Sequence, residues 1–422
     1  MKSALRKLLP ASVLDAYHHA LAVAGSIVYR FPSKKLVVIA VTGTKGKSTT
    51  VELIRTILME AGHTVAAAST IRFSIGRESE SNLFKMTMPG RFFLQEFLRR
   101  AVDAGCTHAV IEMTSEGARQ FRHIGIELDA LAFTNLQPEH IESHGSFEKY
   151  AEAKLSLAKH LEASSKRPRY IVANADDAYG KKFLDIDVEV KKSFSLRDAE
   201  PYNVDDASVR FVWKRGELFS APLPGLFNLR NILAALTLTE AMGVPLATVK
   251  RALEHQPPIA GRAERVVAGQ PYIVVVDYAH TPDSLKALYE TYKERRIIAV
   301  LGSTGGGRDA WKRAEMGKIA DEYADMAILA NEDPYDENPQ KIVDEIAKGF
   351  TKKRPYIILD RRAAIRDAMR EARPTNVVLI TGKGTDPYIM GPGGTKQAWS
   401  DKKVVEEELG KLGYEAAGAK KE

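Results

Sequence analysis

Two successive α/β units, each a mostly parallel sheet wound with helices, are what this chain of 422 residues predicts. Three observations carry that expectation. From Val37 to about Pro258, short apolar runs rich in β-branched residues alternate with stretches of helical spacing. Segment 256–261, Gln-Pro-Pro-Ile-Ala-Gly, sets two prolines and a glycine between a helical and a strand pattern, the clearest boundary in the chain. Beyond it a second series of strands and helices begins. The expected divisions are therefore a helical extension over 1–35, a first unit over 36–258 and a second over 259–422.

Taken in order, residues 12–29 predict one amphipathic helix, with Val13, Tyr17, Leu21, Ala24 and Val28 as its stripe and Phe31-Pro32 as its end. Lys2, Arg6, Lys7, Arg30, Lys34 and Lys35 flank it. The preferred expectation is that the stripe packs on the body of the protein; an interfacial membrane contact is the alternative.

Residues 37–41 read as a strand buried on both faces, and 49–61 as a helix with Val51, Ile54, Leu58 and Ala61 on one side. Between them stands Thr-Gly-Thr-Lys-Gly-Lys-Ser, residues 42–48. Glycines at 43 and 46 let backbone N–H groups approach an anion, the helix dipole favours its charge, and Lys47 adds a cation. Ser48 would offer its hydroxyl to magnesium on a bound phosphate. Val41 stands where the first glycine of the full G-x-x-x-x-G-K-[ST] pattern belongs, so the bland alternative is a glycine turn with an incidental lysine.

Further along, 92–104 predicts a helix, 108–112 a strand, 131–133 a strand, 147–161 a helix, 170–173 a strand and 228–242 a helix. In doubly wound sheets ligands sit at the carboxyl ends of strands. Glu112 and Thr134-Asn135 lie at two such ends, and the next loop carries Glu139, His140 and His144. A carboxylate and an imidazole beside a phosphate cradle suit magnesium positioning, although histidine is an unusual ligand for so hard a cation and His140 alone reads more readily as a loop-packing histidine. In the second unit, strands at 273–276, 297–301, 326–329 and 377–380 each end in a polar or glycine-rich loop. Those loops make a second half-site, expected to face the first across a cleft.

Composition narrows the classes. Hydrophobic residues form 45% of the chain, enough for ordinary cores, and no apolar run reaches the ~18 residues of a membrane span. No secretory signal is expected, because the basic stretch Met1–Pro10 does not lead into an apolar segment with a small-residue cleavage site. The single cysteine, Cys106, excludes a disulfide framework or cysteine zinc site, so a cytoplasmic protein is the simplest reading. The net charge of +7 is spread without interleaved aromatics, which points to anionic small molecules and not to nucleic acid.

Over about 36–409 these motifs resemble the Mur ligase family, and within it the UDP-N-acetylmuramoyl-tripeptide synthetases of MurE type. The 42–48 loop is similar to the family's ATP loop, which would engage Gly43, Thr44, Lys45, Gly46, Lys47, Ser48 and Thr49. Ile111-Glu-Met-Thr-Ser115 resembles M-E-V-S-S, implying Glu112 as a magnesium ligand. Thr134-Asn-Leu-Gln-Pro-Glu-His140 resembles T-N-L-x-x-D-H, implying His140 as a second one. Tyr150-Ala-Glu-Ala-Lys154 resembles Y-x-x-A-K, whose lysine the family carbamylates; a carbamate supplies anionic oxygens where an ammonium would repel the metal. Without those neighbours Lys154 would read as a solvated helix lysine. Asn228 and Asn231 fall where the nucleotide base is met, and Arg262 where a phosphate is. Asp277, Tyr278 and His280 belong to an Asp-Tyr-Ala-His-Thr-Pro-Asp segment close to the MurE form. Residues 305–313 resemble G-G-D-R-D-x-x-K-R, which would give Arg308 to the incoming amino acid's carboxylate and Lys312 to the phosphates. Thr87, Thr114, Gln120 and Arg122 fall where the nucleotide-sugar peptide is held.

The resemblance implies a central P-loop ATPase domain, a Rossmann-like carboxyl-terminal domain, ATP and Mg2+. It implies a ligase that joins a diamino acid, meso-diaminopimelate or L-lysine, to UDP-N-acetylmuramoyl-L-alanyl-D-glutamate, acting as a monomer. An acyl phosphate would make the carboxylate's oxygen a leaving group. Departures exist. The family's uridine-gripping amino-terminal domain is expected to be missing. D-N-P-R appears as Glu332-Asp333-Pro334-Tyr335, and G-K-G-H-E as Gly382-Lys-Gly-Thr-Asp386. Tyr335 in place of arginine leans towards lysine as acceptor, unless Lys353, Arg361 or Lys383 restores the charge. The rivals are another ligase of the same fold, folylpolyglutamate-like or peptide-modifying, and a non-catalytic partner of the MurT type, whose zinc ribbon one cysteine forbids.

Overall fold

The computed structural model describes residues 11–139, 141–307 and 310–414. His140, Arg308 and Asp309 lie outside them, as do Lys2, Arg6 and Lys7. The chain divides into two compact units. One comprises Met1–Tyr202, Arg210–Ala221 and Asn228–Gln256, the other Asn203–Val209, Pro222–Phe227 and Pro257–Glu422.

Helix α1 (Ala11–Val28) precedes the first sheet. That sheet uses β1 (Val37–Thr42), β2 (Val65–Ala68), β3 (Arg72–Ile75), β4 (Glu78–Ser81), β5 (His108–Glu112), β6 (Ala130–Phe133), β7 (Tyr170–Asn174) and β8 (Val190–Phe194). Among the described residues their order is β4-β3-β2-β5-β1-β6-β7-β8. Every pairing is parallel except β2 with β3 and β3 with β4. The helices between are α2 (Lys47–Glu60), α3 (Arg91–Asp103), α4 (Ser115–Arg119) and α5 (Phe147–Glu162), followed by α6 (Leu226–Ala241) and α7 (Leu246–Glu254). β1 and β5 are the central strands, apolar on both faces because helices cover both sides. Helix α2 buries Leu53 and Ile57 as well as Val51, Ile54 and Leu58, so it is covered on more than the single side its pattern suggests.

The second unit holds β9 (Glu264–Arg265), β10 (Ile273–Asp277), β11 (Ile297–Leu301), β12 (Met326–Leu329), β13 (Tyr356–Ile357) and β14 (Val377–Thr381), in the order β9-β10-β14-β11-β12-β13. Among these described strands only β9 runs antiparallel to its neighbour. Helices α8 (Pro282–Thr291), α9 (Lys312–Tyr323) and α10 (Pro339–Ala347) pack with the core of Leu285, Leu288, Met316, Ile342 and Ile346. Helices α11 (Arg361–Glu371) and α12 (Asp401–Lys411) pack with the opposite core of Ile365, Ala368, Val405 and Leu409. A hairpin of β15 (Tyr388–Met390) and β16 (Lys396–Ala398) comes after β14. Each unit is thus an α/β layer structure with a mostly parallel sheet, the predicted class.

One expectation fails. α1 forms where its pattern predicts, but it packs through Ala22, Gly25 and Ser26, which are buried. The stripe named from spacing turns outward instead, with Val13, Tyr17 and Val28 exposed. The face that packs is the one with small residues, which allow a closer approach than the large side chains of the stripe.

Candidate functional site

In the first unit the carboxyl ends of β1, β2, β5 and β6 bring four loops together. The turn from β1 to α2 needs its glycines: Gly43 has φ +148 and Gly46 +81, where a side chain is strained. Space forbids one too, since a Cβ would lie 2.0 Å from Thr134 Oγ1 at Gly43 and 2.0 Å from Asn231 Oδ1 at Gly46. The turn is braced from below. Thr44 N–H donates to Asn135 O at 2.8 Å, Lys45 N–H to Asn135 Oδ1 at 2.9 Å, and Thr134 Oγ1–H to Lys45 O at 2.7 Å. Gly46 is the N-cap of α2 and brings no side-chain cap. A glycine N-cap leaves room at the start of that helix, where backbone N–H groups and the helix dipole suit an anion.

Lys47 donates to Thr44 O at 2.9 Å and lies 3.9 Å from Glu112 Oε1. Ser48 Oγ–H donates to Glu112 Oε2 at 2.8 Å. Glu112, buried at the end of β5, also accepts from Thr70 N–H at 2.9 Å and Thr70 Oγ1–H at 3.2 Å. Thr70 in turn bonds Thr87 Oγ1 at 2.7 Å. No sequence motif points to Thr70; its place just past β2 is the signal that could have found it.

Lys154 is fully buried on α5 and donates to Gly43 O at 2.6 Å. Burial, then the charge of Lys47, holds its pKa well below the usual lysine range. Its amine therefore sits against the turn in an environment that disfavours an ammonium. Tyr150 underlies it, 4.7 Å from ring centroid to Nζ, and shares a 3.0 Å hydrogen bond with Thr44 Oγ1. Lys45 pairs with Glu139 at 2.9 Å. The predicted magnesium residues Ser48, Glu112 and Lys154 are thus gathered around one turn, while His140 falls outside the described residues. Among the latter no group of three or more histidine, cysteine or acidic residues forms a metal cluster. What is present is a carboxylate and a hydroxyl, oxygen donors of the kind a hard divalent cation takes.

Of the residues expected to hold a nucleotide-sugar peptide, Thr114 caps α4 by accepting from Gly117 N–H at 3.0 Å. Gln120 donates to Glu116, and Arg122 reaches Gln120 Oε1 at 2.7 Å and Met88 O. Asn231 donates to Asn228 Oδ1 at 3.3 Å beside Gly46.

In the second unit Arg262 lies over the Tyr278 ring at 4.5 Å, and His280 stands edge-on to Tyr278 at 4.7 Å. Asp277 accepts hydrogen bonds from the backbone N–H groups of Ala263 (2.6 Å) and Ala279 (2.7 Å), which shapes this loop. Gly384 packs against Tyr278, where a Cβ would lie 2.8 Å away. Lys312 is buried at the start of α9.

In the acceptor loops Asp333 forms a buried ion pair with Lys383 at 2.8 Å, and its Oδ1 also accepts Met390 N–H. Lys383 further lies 3.4 Å from Asp386 and donates to Tyr388 O at 2.7 Å. Arg361 pairs with buried Asp401 at 2.6 Å, and Lys353 donates to the carbonyls of Asp321 and Ala324. All three cations considered as replacements for the arginine are thus already engaged by other groups of the protein. Tyr335 takes a left-handed turn, φ +53, next to Gly306. Glu332 is buried over Gly382; its Oε1 accepts from Thr304 at 2.9 Å, while its buried Oε2 has no protein partner among the described residues.

The chain matches two protein families, the Mur ligase middle domain over residues 41–239 and the Mur ligase glutamate ligase domain over 261–384. A UDP-N-acetylmuramyl-tripeptide synthetase of Roseiflexus sp. is 36% identical, across 96% of this chain and 85% of the relative. A UDP-N-acetylmuramoyl-L-alanyl-D-glutamate–2,6-diaminopimelate ligase of Caldanaerobacter subterraneus is 34% identical, across 88% and 78%. A solved structure of a ligase with that same description superposes with a TM-score of 0.61 at 29% identity, covering 90% of this chain and 79% of that one. Mycobacterium tuberculosis folylpolyglutamate synthase shares the fold with a TM-score of 0.70 at 15% identity, covering 87% and 93%.

Proposed function

The chain belongs to the Mur ligase family, of the UDP-N-acetylmuramoyl-tripeptide synthetase (MurE) type, and we propose that it joins a diamino acid to UDP-N-acetylmuramoyl-L-alanyl-D-glutamate. It is an ATP-dependent, ADP-forming ligase of peptidoglycan precursor synthesis. The single observation that carries the chemistry is the assembly of Lys47, Ser48, Glu112 and Lys154 around an uncapped helix start.

In this proposal the turn and Lys47 hold the ATP phosphates, and Ser48, Glu112, His140 and carbamylated Lys154 hold Mg2+, which supplies charge neutralisation when bound. The substrate carboxylate becomes an acyl phosphate, an amine displaces the phosphate, and the protein's work is alignment and neutralisation. Arg308 and Lys312 are assigned to the amino acid's carboxylate and the phosphates. Arg262, Tyr278 and His280 are assigned to the nucleotide. A cytoplasmic, monomeric enzyme that contacts no nucleic acid completes the proposal.

For the acceptor, the relatives' names favour diaminopimelate, whereas the pocket loops favour L-lysine. Tyr335 supplies no cation, Lys383 and Arg361 are engaged, and the unpartnered oxygen of Glu332 suits a terminal ammonium. The test is ADP release on the UDP-linked dipeptide with a panel of amino acids. Turnover with a diamino acid alone supports the proposal; turnover with none of them favours a different substrate for the same fold.

A further inference from the structure

Apolar surface is unevenly placed on this molecule. Val13, Tyr17, Val23, Ile27 and Val28 on α1, with Phe31 just after it, are all large and exposed, Val28 to 63% and Tyr17 and Ile27 to 58%. Val13, Tyr17, Ala20, Ala24, Ile27 and Phe31 keep helical spacing, so much of this is one stripe and not scattered side chains. Phe92, also exposed, is on α3, the helix that packs against the Gly25 face of α1: a Cβ at Gly25 would lie 3.7 Å from Phe92 Cα.

The end of the helix keeps this surface open at a cost. Phe31 N–H donates to Ser26 O and Arg30 N–H to Ile27 O, the paired bonds that close a helix through a left-handed residue. Glycine is the usual occupant of that turn. Here Arg30 and Phe31 both adopt it, at φ 58 and 49, and both are exposed. Exposed Lys34 and Lys35 come shortly after.

Charge selects the occupant. Residues 1–35 contain six basic residues, Lys2, Arg6, Lys7, Arg30, Lys34 and Lys35, against one acidic residue, Asp15. The bases lie at the two ends of the stripe in sequence. A second copy of the chain would bring basic ends together in a parallel or an antiparallel pairing, which opposes self-association. An anionic surface that accepts apolar side chains between basic flanks fits both features. No helix among the described residues is long and apolar enough to cross a membrane, so the contact is one of lying on a surface.

We propose that α1 and the turn after it form a docking face for an anionic lipid surface, seated through Val13, Tyr17, Ile27, Val28 and Phe31 and oriented by Arg30, Lys34 and Lys35. This goes beyond the ligase reaction and does not depend on its substrate.

The test is co-sedimentation of the full chain with vesicles of equal phosphatidylglycerol and phosphatidylcholine, and with phosphatidylcholine alone. Binding at least tenfold stronger to the anionic vesicles, weakening as salt is raised, is expected. Ile27→Glu with Val28→Glu should lower that binding at least tenfold while leaving the circular dichroism spectrum and ADP release unchanged. Lys34→Glu with Lys35→Glu should lower it and flatten its salt dependence. No binding to anionic vesicles, equal binding to both vesicle types, or a dimer in sedimentation equilibrium that the Ile27/Val28 variant dissolves without any vesicle binding would each overturn the proposal.

Discussion

The Ser48 hydroxyl and the Glu112 carboxylate meet at 2.8 Å, tying the first turn of α2 to the end of β5. Lys47 lies on the same carboxylate at 3.9 Å. A nucleotide site that works by charge neutralisation concentrates its cost in such groups. Lys47→Ala should lower ADP release by about 10²–10³-fold with little change in melting temperature, because Lys47 is not part of the core. His140→Ala is expected to behave alike. A steady-state ADP-release assay beside a thermal melt checks both, and near wild-type turnover in either removes that residue from the site.

Lys154 should carry a carbamate in the working enzyme. Burial, then the charge of Lys47, lowers its pKa and so favours the neutral amine that CO2 needs, and protonation at lower pH removes it. Mildly acidic, CO2-free dialysis should therefore abolish activity, and bicarbonate at neutral pH should restore it. Activity that survives such dialysis, with no mass increment on the peptide containing Lys154, counts against the modification.

Much of the first unit was legible because its central strands are apolar on both faces. His108–Glu112, Ile297–Leu301 and Met326–Leu329 have the bounds their composition suggests. β2 was hidden because Val65-Ala-Ala-Ala lacks a β-branched run, and β4 because all four of its residues are exposed at a sheet edge. The candidate turn was readable since glycine, lysine and serine are adjacent in sequence. The Asp333–Lys383 pair was not, because 50 residues separate partners that carry no shared local pattern. α1 misled because it packs through its small residues, Ala22, Gly25 and Ser26, so a stripe of larger apolar side chains did not mark the buried face.

Acid should weaken the fold before it protonates the carboxylates. The His108 ring lies tilted against His63 at 4.2 Å, and His123 stands edge-on to His160 at 4.7 Å. Burial, then the neighbouring histidine, lowers His108 from 6.5 to about 4 and His123 to about 3. Between those values and 6.5 the unfolded chain binds more protons than the folded one, so stability rises with pH and is lost as pH falls below about 6.5. Urea midpoints should drop between about pH 7 and about pH 5, and His108→Gln should flatten that drop. An unchanged slope in the variant would show that His108 is not responsible.

The Arg361–Asp401 pair is buried, and Asp401 also accepts from Trp399 Nε1 at 2.8 Å. Asp401→Ala should destabilise the second unit by about 3–5 kcal/mol, since it strands a buried guanidinium. Chemical denaturation followed through tryptophan fluorescence measures this; a loss below about 1 kcal/mol would mean water reaches the site.

Acceptor choice tests the loop reading. With Lys383 engaged by Asp333 and Tyr335 uncharged, burying the distal carboxylate of diaminopimelate would cost several kcal/mol. L-lysine should therefore show the higher kcat/KM in direct competition. A tenfold or greater preference for meso-diaminopimelate would mean that another cation reaches the pocket.

The ligation chemistry is tested most directly by following oxygen. UDP-N-acetylmuramoyl-L-alanyl-D-glutamate labelled with oxygen-18 in its reacting carboxylate should pass one labelled atom to inorganic phosphate for each amide formed, with ADP as the other product. Label that stays out of phosphate, or that appears in AMP, would contradict the acyl-phosphate route.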